Sequence, residues 1–587
     1  HKAIRRQRQM CIRDRDYTGD KMCGIYGIVG KTNTEEVLNS LERLEYRGYD
    51  SCGLAYLYKN KSFLYKTIGN TSKLRQNVEY REIACAIGHT RWATHGAVTP
   101  INAHPHTSVN RRFFVVHNGV IDNYEELKSK YKFSFETQTD SEIIVHLLDL
   151  YTATMPTLDA VKKILTELTG SFAVVILDKQ EENKLYFFKN KSPLLIALDN
   201  KKIVLASDQC VFDTKMNVTI LNDNNYGYIY NNSYQILSLN QNERWNTFYK
   251  DNNSKVNKVN DYYMLDEIYY EPYMIEDIAR HYTKLDDTEF LTALNEAKEI
   301  VFVGAGSSHY ASCILQNYYE NKLKKRCFSI VASELRFFPL LDKRIVFIFL
   351  SQSGETADLC EGMLYLKANK YKVISLCNNV NSSLGYSSDM IFPLFAKNEI
   401  AVASTKALTA MIYVGRVLLD KESSCKNAEI ISQQMKNVIS RWNEINGISN
   451  TISLSNTIFY LGKGIDYSIA MEGALKLREI SYLSAFAFQS GELKHGSIAL
   501  IDRRSVCISI LSDLSLKSIV RSNLEEVKSR GAKTFLISNC DKEADLYLEG
   551  DILNIILCLQ IIAYQTALIL NRNIDQPRNL AKSVTVL

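Results

Sequence analysis

Val301-Phe302-Val303-Gly304-Ala305-Gly306 and Phe459-Tyr460-Leu461-Gly462-Lys463-Gly464 read alike: an apolar run, a G-x-G turn and then a helical pattern. The likeness continues downstream. Ile345–Leu350 has a counterpart in Val506–Leu511, and Ile374-Ser375-Leu376-Cys377-Asn378 in Leu536-Ile537-Ser538-Asn539-Cys540. This spacing fits two copies of one α/β unit. From about Ile275 onward β-type runs alternate with helices, the pattern of a parallel, doubly wound sheet. The copies differ after their second matched run. The first continues as Ser351-Gln352-Ser353-Gly354-Glu355-Thr356, the second as Ser512-Asp513-Leu514-Ser515-Leu516. The hydroxyl-rich loop lies between a strand and a helix start, where backbone N–H groups and the helix dipole favour an anion. Gly306-Ser307-Ser308 would face the same crevice, because ligands of such sheets bind beyond the carboxyl ends of the strands. Either loop alone also fits plain helix capping; two in one unit favour a phosphate. The loop is neither a Walker loop nor a full G-x-G-x-x-G, so no nucleotide is implied.

The other half is richer in strands. From Cys23 to about Tyr249 short β-runs dominate, such as Gly24–Val29, Gly53–Tyr58, Ala84–Gly88 and Phe172–Leu177, with helical patterns at Glu35–Leu44, Asp140–Tyr151 and Leu158–Leu168. That predicts layered sheets with covering helices. Residues 250–262 are polar and aperiodic, as in a linker. The 587-residue chain is too long for one core, since single cores rarely grow past ~250–300 residues. No run approaches the ~20 apolar residues of a membrane span. The thirteen cysteines are scattered, without a C-x-x-C pair, which argues for a reducing cytosol over disulfides or zinc.

Met22-Cys23 carries the second informative signal. Residues 1–22 open with His1, hold no apolar run and read as a non-native extension. Seven of the 70 basic and three of the 65 acidic residues lie there, so the rest of the chain is near neutral and suggests neither nucleic acid nor a membrane surface. If Met22 were the start and were clipped, Cys23 would carry a thiol and a free α-amine, whose pKa of about 7.7–8.0 lets it accept a proton near neutral pH.

Three further constellations carry chemistry. Glu472, Lys476 and Glu479 are spaced to share one helix face, and the apolar residues around them suggest that the face is buried, where pKa values shift. His495 lies in a Gly-bounded loop, and Lys582 in a tail whose neighbours Pro577, Leu580, Val584 and Val586 are apolar enough to dock. In the first half, residues 89–96 and 102–106 gather an Arg, a Trp and four His. No carboxylate or cysteine completes a ligand set at normal spacing, so no metal is expected. Arg91 has the fork geometry to clamp a carboxylate. Asn118, with the Gly119 N–H, could form an oxyanion hole, or simply a turn. Asp140 could hold an ammonium group or cap a helix.

Together these motifs resemble the glutamine–fructose-6-phosphate aminotransferase (isomerizing) family. The resemblance rests on Cys23-Gly24-Ile25, Glu45–Ser51, residues 89–96, Asn102–His106, Val116–Gly119, Leu350–Ala357, Val402–Ala407, Glu472–Ile480, Gly491–Gly496 and Asp575–Val586, and it covers the chain from Cys23 on. It implies an α/β multidomain protein: an N-terminal-nucleophile αββα glutaminase sandwich at 23–249, a linker at 250–274, sugar-isomerase (SIS) domains at 275–435 and 436–570, and a catalytic tail at 571–587. It further implies Cys23 as nucleophile with its α-amine as base, and Asn118 and Gly119 as the oxyanion hole. Arg91, Trp92, Thr94, His95 and Asp140 would lie around glutamine, Trp92 also gating an ammonia channel. Ser307, Ser308, Ser351, Gln352, Ser353, Thr356, Val402, Ser404 and Glu472 would line the sugar-phosphate site. Lys582 would form a Schiff base, Glu479 would move the proton between C1 and C2, and Lys476 and His495 would assist. The family's histidine comes from the neighbouring subunit, which implies a homodimer. No cofactor is implied, and a cytoplasmic location is. Leu265-Asp266 stands where relatives usually show Gln-Lys, and His309 where a tyrosine is common.

Overall fold

The computed structural model describes residues 23–92, 96–198, 201–212, 216–231, 233–240, 247–250, 258–580 and 582. The expected extension at 1–22, and Thr94 and His95, lie outside them. The described residues form two compact units, 23–250 and 258–582.

The first unit stacks two antiparallel sheets. The eight-stranded sheet places Gly24–Asn33 between Lys202–Ala206 and Glu82–Arg91; the six-stranded one places Phe113–Ile121 beside Gly170–Asp178. Alternation along the strands builds the layers, because successive side chains leave opposite faces. Ile25 and Val29 point between the sheets, against Val116 and Val175. Tyr26 and Ile28 point outward, under Val37, Leu38 and Leu41 of helix Thr34–Leu44. Val174 and Ile176 pack in the same way under helices Glu142–Thr152 and Thr157–Glu167. The result is a helix–sheet–sheet–helix sandwich.

The second unit bears out the repeat. Each copy is a five-stranded parallel sheet, and both have the spatial order 2-1-3-4-5 in their own strand numbering. The first copy runs from Glu299–Gly304 to Met390–Pro393, the second from Thr457–Gly462 to Leu546–Tyr547. The match extends to single dihedrals. Gly306, before helix Ser307–Leu323, has φ 56° and ψ −129°; Gly464, before helix Ile465–Ser481, has φ 61° and ψ −128°. Both helices run 17 residues and end in a left-handed residue, Lys324 or Tyr482. One apolar core spans both sheets, with helix Ile552–Ile569 in its middle. That helix is long and apolar enough to cross a membrane, but it is largely buried inside the unit.

Two expected boundaries shift. Residues 263–274, expected within the linker, begin the 20-residue helix Tyr263–Tyr282, whose Met264, Ile268, Met274 and Ile275 lie in the core. The sequence disguises this, because Glu267, Glu271 and Pro272 are buried beside the apolar residues and break the apolar stripe. The expected division at 435/436 falls inside helix Ala428–Ser440.

Gly306 and Gly464 lie where only glycine is at ease. A Cβ at either would meet nothing within 4 Å, so backbone strain is the whole cost. Gly306→Ala and Gly464→Ala should each destabilise the protein by ~1–3 kcal/mol, read as matching shifts of the urea midpoint.

Candidate functional site

In the first unit the groups converge on Cys23, at the start of strand Gly24–Asn33. The Trp92 N–H donates to Cys23 Sγ at 3.3 Å, and the thiol faces the Trp92 carbonyl at 3.5 Å. The Cys23 carbonyl accepts from Asn118 Nδ2 at 2.8 Å and from Arg47 Nε at 3.2 Å. Burial pushes the thiol up to about 11, against the Trp92 N–H and the fields of Arg91 and Arg47. Such a thiol needs a base before it attacks, since the thiolate is the nucleophile.

Asn118 is held from behind. His89 Nε2 faces the His117 carbonyl at 2.9 Å and Asn118 Oδ1 at 3.1 Å. Both are acceptors, so Nε2 carries the proton, and the Asn118 amide is turned with its NH2 toward Cys23. Burial drives His89 down to about 3, which keeps it neutral. His104 and His117 share the Ser141 hydroxyl at 3.0 and 2.8 Å. His106, like His104, is pushed well below the usual histidine range by burial. Asp140 does not cap helix Glu142–Thr152; its Oδ2 accepts the Ile121 N–H at 2.8 Å. Gly119 has φ 110°, and a Cβ there would lie 1.9 Å from the Ser171 carbonyl. The structure thus brings Cys23, Trp92 and Asn118 into direct contact, and the charges of Arg91 and Asp140 reach the thiol.

In the second unit the hydroxyl loop sits at the switch point of the first sheet, between the ends of strands Glu299–Gly304 and Ile345–Ser351. Thr356 precedes helix Ala357–Ala368, but its hydroxyl makes no cap bond, so plain capping does not account for it. Ser351 Oγ accepts the Gly354 N–H at 2.9 Å, which folds the loop over. Glu355 braces the loop from outside, accepting the Ser383 N–H at 2.9 Å and its hydroxyl at 2.7 Å.

Ser307 Oγ donates to Glu472 Oε1 at 3.1 Å, which joins the first copy to the charged helix of the second. Lys476 is buried, 3.6 Å from Glu472 and paired with Glu479. Desolvation alone would lower Lys476, but the two carboxylates outweigh it and hold the ammonium above its usual value. Burial pushes Glu472 up to about 7. Lys582 pairs with a residue the sequence did not single out, Glu399, whose field also reaches Lys476. Ser404 Oγ donates to Glu399 Oε2 at 3.3 Å, and the Val402 N–H to the Asp575 carbonyl at 2.9 Å. The 183-residue separation of Glu399 and Lys582 hid this pair from any local pattern. His495 is exposed and stands outside the cluster. Ser308, in the first turn of helix Ser307–Leu323, and Gln352 and Ser353, on the hydroxyl loop, are half-buried.

A sandwich with a thiol at its first strand, and a second unit of two repeated parallel sheets with a hydroxyl-rich loop at one switch point, define a glutamine amidotransferase joined to a sugar isomerase. The comparisons agree. A glutamine amidotransferase domain model matches residues 89–213, and an SIS domain model matches 293–421 and 451–546. The glutamine–fructose-6-phosphate aminotransferase [isomerizing] of Geobacillus kaustophilus is 37% identical over 599 residues, covering 96% of this chain and 100% of that protein. The Listeria monocytogenes enzyme of that name is 38% identical over 603 residues, with the same coverage. A candidate tagatose-6-phosphate ketose/aldose isomerase from Clostridium novyi shares the fold of the second unit, with TM-score 0.50 at 19% identity over 55% of this chain and 94% of that one. The chain belongs to the glutamine–fructose-6-phosphate aminotransferase (isomerizing) family.

Two further carboxyls lie near this site on helix Tyr263–Tyr282. Burial pushes both Glu267 and Glu271 up to about 8. A carboxyl raised in the fold binds its proton more tightly there than in the unfolded chain. Its contribution is therefore full below the ordinary glutamate value and lost as pH rises through about 8. Glu271 is fully buried and bonded to Thr409 Oγ1 at 2.6 Å. Glu271→Gln should melt close to wild type at pH 5 and higher than wild type at pH 8, the gap widening steadily between. An equal gap at every pH would contradict the burial argument.

Proposed function

We propose that the first unit hydrolyses the side-chain amide of L-glutamine, and that the second uses the ammonia to convert D-fructose 6-phosphate into D-glucosamine 6-phosphate. The observation that carries this reading is the run of contacts from Ser307 through Glu472 and Lys476 to Glu479, with the Lys582–Glu399 pair near enough for the Glu399 field to reach Lys476. It sets a nucleophilic amine and acid–base groups beside an anion loop, which is what an imine-forming sugar isomerase requires.

In the glutaminase, Cys23 attacks the amide carbon, and Asn118 Nδ2 with the Gly119 N–H holds the oxyanion. Arg91 and Asp140 take the α-carboxylate and α-amine of glutamine, and Trp92 closes the path that ammonia follows; Thr94 and His95, outside the described residues, are assigned to glutamine as well. The Cys23 thiol touches no side-chain base among the described residues, and the neighbouring His89 is a donor held neutral. A free α-amine on Cys23 supplies the missing base, so the working form begins at Cys23. In the isomerase, Ser307, Ser308, Ser351, Gln352, Ser353 and Thr356 bind the phosphate, and Val402, Ser404 and Glu472 hold the sugar. Lys582 forms the imine at C2, Glu479 carries the proton between C1 and C2, and Lys476, paired with Glu479, assists that transfer. His495 reaches the site of a partner subunit and assists ring opening, which makes the enzyme a homodimer. The described cysteines are all free, in keeping with a cytoplasmic protein. The domains run 23–249 and from Tyr263 to the tail.

Cys23→Ala should lower glutamine-dependent glucosamine 6-phosphate formation by about 10³-fold or more and leave ammonia-dependent formation within about twofold. Loss of both activities, or of neither, sinks the assignment. The chain with residues 1–22 attached should behave like Cys23→Ala, while the same chain beginning at Cys23 hydrolyses glutamine.

A further inference from the structure

The partner of Lys582 is built with more care than a simple counter-ion needs. Glu399 is buried, and each of its oxygens has a separate task. Oε1 accepts the N–H groups of Thr405 and Ala407 at 3.0 and 2.9 Å, at the start of the 14-residue helix Lys406–Leu419. Oε2 meets Lys582 Nζ and the Ser404 hydroxyl. The side chains of Glu399 and Lys582 are 0% and 3% exposed, so neither ion is paired by water. Burial disfavours the Glu399 carboxylate, but Lys582, the Ala407 N–H and Lys406 outweigh it and hold its pKa below the usual value.

Other charged groups face this pair. Glu267, on helix Tyr263–Tyr282, accepts the Ile400 and Ala401 N–H groups and shares the Thr405 hydroxyl with Glu399. Glu271 lies one turn further along that helix, Lys406 binds the Asn398 carbonyl at 2.6 Å, and Lys476 approaches from the second copy. Among the described residues, Glu399 alone hydrogen-bonds to Lys582 Nζ.

We propose that Glu399 is the proton acceptor for Lys582, taking the proton that Nζ must lose before it adds to the C2 carbonyl and returning it when water departs. This rests on the reading of Lys582 as the imine-forming lysine. The pair begins as ammonium and carboxylate. Transfer of one proton gives a free amine and a carboxylic acid. The Nζ lone pair then forms a bond to C2, the carbonyl π pair moves to oxygen, and one Nζ proton passes to that oxygen, giving the carbinolamine. The Glu399 acid donates its proton to the hydroxyl, which leaves as water as the nitrogen lone pair forms C2=Nζ. The products are an iminium and a carboxylate. One cation and one anion stand in the same places before and after, so the buried pocket never holds an unpaired charge, which would cost several kcal/mol.

The test follows imine formation in the full-length enzyme. Fructose 6-phosphate is mixed with protein, the mixture is quenched with borohydride at intervals, and the hexose phosphate fixed to the Lys582 peptide is measured by mass. The wild-type labelling rate should change little between pH 6 and 8, because the proton goes to Glu399. Glu399→Gln should label about 100-fold more slowly at pH 7, with the rate climbing about tenfold per pH unit as solvent supplies the free amine. Its glutaminase turnover should be unchanged. Labelling of E399Q at the wild-type rate overturns the proposal while the role of Lys582 stands. A wild-type rate that itself climbs tenfold per pH unit also overturns it, whether or not E399Q folds. Absence of label from Lys582 in the wild type overturns the lysine assignment and this inference together.

Discussion

A buried cation without a partner is not tolerated in a folded chain, and Lys476 imposes that constraint on the second unit. It sits on helix Ile465–Ser481 with Ala470, Ala474 and Leu477 in the apolar core. Glu472 and Glu479, one turn to either side, make its burial possible. Glu472 then needs a donor of its own, which comes from Ser307 in the other copy of the repeat. The requirement to pair charge inside an apolar core therefore ties the helix of one copy to the crevice of the other, where the proposed sugar chemistry needs both.

Much of this was legible in the sequence because it is local. Strand–turn–helix units repeat at a fixed spacing, glycines mark the turns, and the i, i+4, i+7 stripe on an apolar helix signals burial. The αββα sandwich follows from period-two strands such as Gly24–Asn33. What stayed hidden depends on separation along the chain or on polarity in unusual places. Glu399 sits in no local pattern that announces Lys582. The role of His89 in turning the Asn118 amide needs two strands side by side. The start of helix Tyr263–Tyr282 was disguised by glutamates that are buried only because loop N–H groups and hydroxyls receive them.

The two sites treat charge in opposite ways. Around Cys23 burial strips His89, His104 and His106 of their basicity, and His89 orients the Asn118 amide as a fixed donor. Around Lys582 cationic and acidic side chains lie in pairs, Lys582 with Glu399 and Lys476 with Glu472 and Glu479. A thiol waiting for an external base suits the first environment. An amine that must shed and regain a proton in each turnover suits the second.

The repeat also shows how two crevices of one topology come to differ in charge. Asp466 occupies the position that corresponds to Ser308. Its carboxylate accepts the N–H of Ser512, the first residue beyond strand Ser505–Leu511, at 3.0 Å and pairs with the Ser512 hydroxyl as well. Those are the donors an anion would use at this switch point. Asp466 is buried there, and desolvation pushes its pKa up, a cost the fold bears to fill the crevice from within. In the first copy the same position is an uncharged serine, Ser308, in the first turn of helix Ser307–Leu323. Two crevices of one topology thus differ in charge: at this position the second carries a carboxylate of its own, and the first a neutral hydroxyl.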